Sequence, residues 1–186
     1  MRAGMLRAAF PLGSAYKVLQ QGQLRAAAVL VALEPGRGVW LTRRSARMAA
    51  HPGQVSFPGG KIEPYDATPE AAALREAQEE VGLDPAQVEI LGRMDDYVMT
   101  VTQFHISPVV ALVPEKVALL PATAEVEEVF LLPFSVLLNP QYPVRRRAIR
   151  QMGVREFWVW PHEDHVIWGA TAEILWRLAQ RLRGVG

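Results

Sequence analysis

The segment GGKIEPYDATPEAAALREAQEEVGL, residues 59–83, decides the fold of this 186-residue chain because it contains the clearest helix signal. Thr68 is a favoured N-cap residue, and Pro69 suits the first position of a helix. Gly82 is the residue type expected directly after a helix ends. The pattern therefore predicts a helix over residues 69–81.

Three glutamates lie on one face of this predicted helix. Glu76, Glu79 and Glu80 are neighbours at spacings of three and four residues, so their carboxylates share an arc of about 100°. The apolar residues beside this arc are Ala73, Leu74, Ala77 and Val81. The helix is therefore expected to bury one side and to present three carboxylates on another.

Carboxylates this close repel each other, and Arg75 can pair with Glu79 but cannot neutralise three acids. A hard divalent cation would relieve the repulsion, because Mg²⁺ accepts carboxylate, water and phosphate oxygens as ligands. The alternative is a solvated acidic face, which is the commoner reason for a run of charges on a helix. The Gly59-Gly60 pair before the helix favours the metal, since glycines let the backbone approach a ligand closely.

The same segment resembles the signature of the Nudix hydrolases, in which a glycine and a spacer precede R-E-U-x-E-E-x-G-U, where U is aliphatic. Residues 75–83 read REAQEEVGL and fit the second half of that signature. Five residues separate Gly60 from Asp66, as in the common form, but eight rather than seven separate Asp66 from Arg75. The loop is thus one residue longer than usual, which leaves the role of Asp66 open.

The resemblance implies an α+β protein with the Nudix fold, an α/β/α sandwich built on a mixed β-sheet. We expect a single Nudix hydrolase domain over residues 23–186, preceded by an N-terminal arm or helix over residues 1–22. Hydrophobic patterning also predicts a last helix that Thr171 caps and that ends near Arg183. The predicted strands are 26–33, 39–42, 55–57, 88–94, 105–113, 126–132, 154–160 and 165–168, with a helical turn at 133–138.

The resemblance also implies a site for Mg²⁺ or Mn²⁺ at the acidic helix. The ligands would be the carbonyl oxygen of Gly60 and the carboxylates of Glu76 and Glu80. Glu79 would complete the cluster, either as a ligand or as the base that orients water. Arg75 would pair with a helix glutamate and hold it in place.

Nudix enzymes often take a further acid from a later loop. Glu125 is the first candidate because it begins the family-like segment EVEEVF, and Glu127 and Glu128 are weaker candidates. If Glu125 faced solvent well away from the acidic helix, this assignment would be wrong.

A longer segment narrows the resemblance. LTRRSARMAAHPGQVSFPGGKIEPYD, residues 41–66, resembles the segment that marks the coenzyme A pyrophosphatase subfamily, including its longer loop. The likeness continues through LGRMDDYVMT, HISPVVALVP, EVEEVFLLPF and IWGATAEIL. It implies metal-dependent hydrolysis of the pyrophosphate bond of coenzyme A or its derivatives, which gives 4′-phosphopantetheine and adenosine 3′,5′-bisphosphate.

Two alternatives stay open. A Nudix pyrophosphatase of another kind would act on ADP-ribose, a dinucleotide or another nucleoside diphosphate derivative. A protein of a different class would be a Nudix module that binds a nucleotide or RNA without hydrolysis. Loss of a helix glutamate would favour the binding module, and all three glutamates are present in this chain, which favours the enzyme.

Basic residues precede the acidic helix. Residues 37–47 contain four arginines and no acid, whereas residues 61–80 contain six acids and two bases. A basic loop beside an acidic helix suits a metal-bound pyrophosphate flanked by guanidinium groups, although a solvated strand end fits each arginine equally well. The candidate substrate-binding residues are Arg43, Arg44, Arg47, His51 and Lys61.

A second basic stretch, residues 145–155, contains five arginines. It could bind phosphate, contact a second subunit or form an exposed strand face, and we favour the exposed face. It lacks interleaved aromatic residues and any nucleic-acid-binding motif, so we expect no nucleic-acid partner. We expect Trp158, Trp160 and Trp168 to lie in the core rather than to stack on adenine. His162 and His165 are expected to be structural rather than metal ligands, since no third ligand lies nearby in the sequence.

Composition excludes several further classes. The chain has no Cys, which rules out disulfides, thiolate metal sites and a cysteine nucleophile. The longest apolar run, residues 129–138, is interrupted by Pro133 and is too short to cross a bilayer. A formal net charge of +1 provides no global field for nucleic acid or an anionic membrane. We expect a cytoplasmic protein with a small-molecule substrate and no membrane partner; its oligomeric state is open, with a homodimer typical of many Nudix enzymes.

Overall fold

The computed structural model describes residues 1–11, 24–48, 51–99, 103–150 and 153–184. For residues 148–150 and 153–155 the description covers the backbone alone. Within these ranges no helix is long and apolar enough to cross a membrane. The expected boundary between an N-terminal arm and the main domain, at residues 22 and 23, falls outside them and stays a prediction.

The described ranges contain eleven strands and four helices. The strands are β1 (Arg25–Glu34), β2 (Gly38–Arg44), β3 (Val55–Ser56), β4 (Gly59–Lys61), β5 (Glu89–Arg93), β6 (Tyr97–Met99), β7 (Phe104–Leu112), β8 (Val126–Pro133), β9 (Val144–Arg150), β10 (Gly153–His162) and β11 (His165–Trp168). The helices are α1 (Ala3–Ala9), α2 (Pro69–Val81), α3 (Phe134–Leu137) and α4 (Gly169–Arg183), and a 3-10 turn covers Pro85–Gln87.

Eight of the strands form one mixed sheet. Its order is β3-β2-β1-β7-β5, with β8 paired to β2, β4 to β1 and β6 to β7. Strand β1 runs parallel to β7, which places Ala28 beside Ser107, and the other described pairs in this sheet are antiparallel. The last three strands form a separate sheet in the order β11-β10-β9. The predicted mixed sheet is confirmed.

Helices cover both faces of the mixed sheet. Alternate residues of β1 point to opposite faces, so each face packs against a different set of helices. Ala28 and Leu30 belong to a buried cluster that includes the apolar stripe of α2. Val31 belongs to a second buried cluster, which includes residues of α4 and Leu6 of α1. Trp160 of the three-stranded sheet joins this second cluster. The α+β class and the α/β/α sandwich are therefore confirmed, with the small sheet as an addition on the α4 side.

Helix α2 has the predicted limits. The Thr68 hydroxyl oxygen accepts a hydrogen bond from the Ala71 N–H at 3.2 Å, as an N-cap should. Gly82 ends the helix in the left-handed conformation, with a φ of 69°. Glu70 in the first turn pairs with Arg93 of β5 at 3.3 Å, which ties the start of the helix to the sheet. The caps set the limits of α2, and this ion pair helps to hold the helix in one orientation on the sheet.

The C-terminal region differs from the sequence prediction in three details. Helix α4 begins at Gly169, and Thr171 does not cap it: the buried Thr171 hydroxyl donates to the Val55 carbonyl at 3.0 Å. Residues 144–150 form strand β9, which was missing from the predicted strands but agrees with the exposed strand face favoured for this basic stretch, since the side chains of residues 144–147 are exposed. Trp168 is 44% exposed and lies outside the core, whereas Trp160 is fully buried as expected.

Candidate active site

Two glycines bring the backbone of β4 against the acidic face of α2. The Gly59 N–H donates to Glu80 Oε2 at 3.1 Å. A Cβ atom on Gly60 would lie 2.6 Å from the carboxyl carbon of Glu76, so only glycine leaves room for that carboxylate. Gly60 is also held in the sheet by its pairing with Ala28 of β1. The backbone of Gly59 and Gly60 in β4 and the carboxylates of Glu76 and Glu80 therefore share one small volume.

Arg75 is the centre of a hydrogen-bonded network that fixes this arrangement. Its Nε and NH2 atoms donate to the two Asp66 oxygens at 3.1 and 2.9 Å, and NH2 also donates to the Lys61 carbonyl at 3.1 Å. Its NH1 atom donates to Glu76 Oε1 at 2.9 Å and to Glu79 Oε2 at 3.3 Å. The predicted pairing of Arg75 with a helix glutamate is thus present in the structure. A guanidinium held on both sides presents Glu76 in one orientation.

Asp66 is the site residue that the sequence left unassigned. Its carboxylate is almost fully buried, it accepts from the Glu63 N–H at 2.8 Å, and its bond with the Arg75 guanidinium holds the pKa of the carboxyl below its usual range. The extra residue in the loop does not prevent this contact. The signal in the sequence was the ordinary spacing of Asp66 from Gly60, which outweighs its changed spacing from the arginine.

Glu80 has an electrostatic environment that disfavours its charge. The pKa of its carboxyl is raised to about 7, chiefly by burial, and the nearby charges of Glu76 and Glu125 act in the same direction. The Gly59 N–H and the Arg44 guanidinium act in the opposite direction. A carboxylate pair that repels in this way is stabilised by a cation.

The donor set suits a hard divalent metal ion. Among the described residues, no group of three or more Asp, Glu or His side chains could hold an ion by itself. Two carboxylates and a backbone carbonyl at Gly60 would instead leave several positions for water and phosphate oxygens, which is the usual state of protein-bound Mg²⁺. Because Gly60 has no side chain, the Glu76 carboxylate can lie directly against the backbone of residue 60, as this arrangement requires.

The structure brings Arg44 and Glu125 to the acidic helix. Arg44 NH2 lies 3.6 Å from Glu125 Oε2, and the charges of both residues act on Glu80. The Ser45 N–H donates to the Glu125 carbonyl at 2.8 Å, which ties the two chain segments together. Glu125 therefore lies near the acidic helix, although about half of its side chain is exposed.

Arg43 is not brought to the acidic helix. It follows the alternation of β2 and lies on the opposite face, where its NH2 atom pairs with Glu128 at 3.0 Å and with Glu127 at 3.8 Å. The two weaker candidates for the further acid are thus turned away from the acidic helix along with Arg43.

The three other predicted substrate-binding residues are exposed. Arg47 and His51 lie after β2, and His51 has a φ of 55°. Lys61 pairs with Ala27, whose side chain faces the α4 layer, so the Lys61 side chain points away from the face of Gly60. Within the described chain, no side-chain hydrogen bond or ion pair joins these three residues to the glutamates. Their role in binding stays a prediction.

Replacing Asp66 with Asn is expected to loosen Arg75 and, through it, Glu76. The variant loses the charge of a buried partner, so we expect a loss of about 1–3 kcal/mol in unfolding free energy and at least a tenfold fall in kcat. Urea unfolding and steady-state kinetics measure the two effects. Asp95→Asn, in the segment between strands β5 and β6, serves as the control. Unchanged kcat in Asp66→Asn would contradict a role for Asp66 in holding Arg75.

Metal-free protein is expected to lose stability as the pH rises from about 4.5 to about 7. The pKa of Glu80 is higher in the folded chain than its ordinary value of 4.5, so the folded state binds more protons in this window and charging Glu80 opposes folding. After allowance for screening by solvent, the effect is about 1–2 kcal/mol. Thermal unfolding in EDTA at pH 5 and pH 8 measures it. The Glu80→Gln variant should not show this fall, and an equal fall in both proteins would contradict the assignment to Glu80.

Comparison with known proteins agrees with this fold. A family model described as NUDIX domain matches residues 23–152. NudL, a Nudix hydrolase of Citrobacter koseri whose name states no substrate, is 39% identical over 162 residues, which cover 85% of this chain and 83% of the relative.

Two solved structures share the fold. A MutT/nudix family protein from Enterococcus faecalis superimposes with a TM-score of 0.55 at 14% identity, over 99% of this chain and 75% of that chain. A NUDIX hydrolase from Nitrosomonas europaea has a TM-score of 0.51 at 21% identity, over 63% of this chain and 61% of that chain.

Together with the acidic helix beside the glycine pair of β4, the family match and the named relative define the class of this protein as a hydrolase of acid anhydrides of phosphate. The chain belongs to the Nudix family and is a pyrophosphohydrolase. Enzymes of this family use divalent metal ions.

Proposed function

We propose that the protein hydrolyses the pyrophosphate bond of coenzyme A or its derivatives with Mg²⁺ or Mn²⁺ as cofactor. The products are 4′-phosphopantetheine and adenosine 3′,5′-bisphosphate. The observation that carries the proposal is the segment of residues 41–66, which resembles the coenzyme A pyrophosphatase subfamily and includes the longer loop. The contact of Asp66 with Arg75 supports it, because Asp66 still reaches and holds the helix arginine although the loop is one residue longer.

The proposed roles follow the geometry of the site. Gly60, Glu76 and Glu80 would hold the metal, which supplies charge neutralisation and a bound water of lowered pKa. Arg75 fixes the orientation of Glu76 through its hydrogen bond at 2.9 Å. In this arrangement the residues of the chain position the pyrophosphate and an attacking water in line, and catalysis comes from that positioning and from charge stabilisation.

The base and the phosphate contacts are assigned by proximity to Glu80. Glu125 is the proposed base, because the Glu125 carboxylate lies close enough to shift the pKa of Glu80. Glu79 is the second candidate. Arg44 is the proposed phosphate contact, since its guanidinium lies on the same side and can exchange Glu125 for a phosphate oxygen. Arg43 is left out of this set because it pairs with Glu128 on the other face.

Two other functions remain as outcomes of the test. Hydrolysis of ADP-ribose or another nucleoside diphosphate derivative would use the same glutamates and differ only in the recognition of the substrate. A binding module without hydrolysis would need no ordered acidic cluster, and the hydrogen bonds that hold Glu76 and Glu80 favour an enzyme. We also propose a cytoplasmic protein and a homodimer, which fractionation and light scattering test.

A substrate panel tests the proposal. The protein is incubated with Mg²⁺ or Mn²⁺ and with coenzyme A, acyl-coenzyme A, ADP-ribose and a dinucleotide in separate reactions, and kcat/KM is compared. We expect the highest value for coenzyme A or an acyl derivative. Efficient cleavage of ADP-ribose with coenzyme A left intact would overturn the assignment of coenzyme A as the substrate. Tight binding of a nucleotide without turnover of any compound would favour the binding module.

A further inference from the structure

A buried histidine of the small sheet reaches the strand that leads from Glu125. His165 of β11 places its Nε2 atom 3.1 Å from Glu128 Oε2. Because an ionised carboxylate only accepts hydrogen bonds, Nε2 is the donor. The His165 ring also stacks on Phe130 of β8, with ring centroids 3.8 Å apart. His165 is therefore fixed on two residues of β8 at once.

Arg43 completes this group, which we call the Glu128 cluster: Arg43, Glu128, Phe130 and His165. Arg43 NH2 lies 3.0 Å from the same Glu128 oxygen that accepts from His165. An exposed ion pair alone holds its side chains loosely. Here His165 is 6% exposed and is carried by a strand paired to β10, so it supplies the rigid contact that the Arg43–Glu128 pair lacks.

The cluster sits at an irregularity in the pairing of β2 with β8. Arg43 is opposite Glu128, but the next residue, Arg44, is opposite Val126, so Glu127 is an extra residue in β8. Such a bulge changes the direction in which neighbouring side chains point. On one side of it lies the Glu128 cluster, and on the other the Arg44–Glu125 pair approaches Glu80.

We propose that His165 is a positioning residue for the Arg44–Glu125 pair. By holding Glu128 and Arg43 on one face of the bulge, His165 fixes the backbone from which Arg44 and Glu125 reach the acidic helix. This inference rests on the proposed function, in which Glu125 is the base. A displacement of about 1 Å in a catalytic group is enough to lower a rate by up to 10²-fold, so a distant contact can set kcat.

Two substitutions separate positioning from packing. His165→Phe keeps a ring that can stack on Phe130 but cannot donate to Glu128. His165→Gln keeps a donor and loses the ring. His162→Phe is the matched control, because the His162 ring is 6.5 Å from Phe130 and the described hydrogen bonds to Glu128 come from His165 and not from His162. Thermal unfolding establishes that each variant is folded.

The kinetics are measured on the substrate that the wild type cleaves best. We expect His165→Phe to lower kcat about tenfold with a smaller change in KM, His165→Gln to recover most of kcat, and His162→Phe to match the wild type. In a Glu125→Gln background, His165→Phe should cause a smaller loss than in the wild type, because one of the two side chains that it positions is already changed.

The outcomes distinguish this inference from the function on which it rests. Normal kcat in folded His165→Phe would overturn the inference, and so would a loss that is fully additive with Glu125→Gln or a loss that Gln does not relieve. The proposed function would survive each of these results. Wild-type protein that turns over none of the panel would overturn the proposed function and, with it, the role of His165.

Discussion

Glu80→Gln is expected to lower kcat/KM for the preferred substrate by about 10²-fold or more while the protein stays folded. Gln keeps the shape of the side chain and an oxygen that can accept from the Gly59 N–H, but it removes the charge that a divalent metal ion requires. The pKa of the Glu80 carboxyl is raised to about 7, chiefly by burial, so its charge destabilises the folded state, and Gln removes that charge. Metal-free Glu80→Gln should therefore be at least as stable as the wild type at pH 8.

A loss of activity together with unchanged or higher stability would separate the proposed metal-binding role of Glu80 from a structural role. Steady-state kinetics with Mg²⁺ or Mn²⁺ and thermal unfolding in EDTA give the two readouts. Glu173→Gln is a matched control, because Glu173 lies on helix α4 and pairs only with Arg177 at 3.0 Å in the described network. It should retain normal kinetics. Near-normal activity in Glu80→Gln would remove the metal role from Glu80.

Substitutions at the two neighbouring glycines are expected to have opposite kinds of effect. In Gly60→Ala, the new methyl group would lie 2.6 Å from the Glu76 carboxylate, which is the flexible end of a side chain and can swing away. The fold should lose less than about 1 kcal/mol, while displacement of the proposed metal ligand Glu76 should lower kcat/KM by roughly 10–100-fold.

Gly59→Ala should instead destabilise the whole protein. Gly59 has a φ of 155°, which residues with a side chain rarely adopt, and its Cβ atom would collide with the backbone carbonyl of Ala28. A backbone atom in the middle of the sheet cannot move aside, so a loss of at least about 2 kcal/mol in unfolding free energy is expected. Gly4→Ala, on helix α1 with open space around it, is the control and should leave the stability unchanged or slightly higher. Full activity in Gly60→Ala would contradict the close approach of residue 60 to the metal site.

The sequence was sufficient for the parts of the molecule that depend on local physics. The cap at Thr68, the left-handed Gly82 and the 3.6-residue spacing of the glutamates determined helix α2 and its acidic face, and the structure has them as predicted. Arg75 was likewise assigned to a helix glutamate. These features need only residues that are close in the chain.

What depended on tertiary contacts was harder to predict. Arg43 and Arg44 are adjacent in one basic run, and composition alone could not show that β2 sends them to opposite faces. The strand period of two would have suggested it, but only once β2 was known to extend to residue 44. The contact of Asp66 with Arg75 depends on how the longer loop closes, and the two spacings of Asp66, ordinary from Gly60 and changed from Arg75, point to different answers.

The most direct test of the proposed chemistry is the mass of the products from coenzyme A. Purified protein is incubated with coenzyme A and Mg²⁺ or Mn²⁺, with a parallel reaction in EDTA and another with Glu80→Gln. The account predicts the masses of 4′-phosphopantetheine and adenosine 3′,5′-bisphosphate in the metal-containing wild-type reaction alone. Intact coenzyme A in that reaction, under conditions in which the same preparation cleaves ADP-ribose, would contradict it.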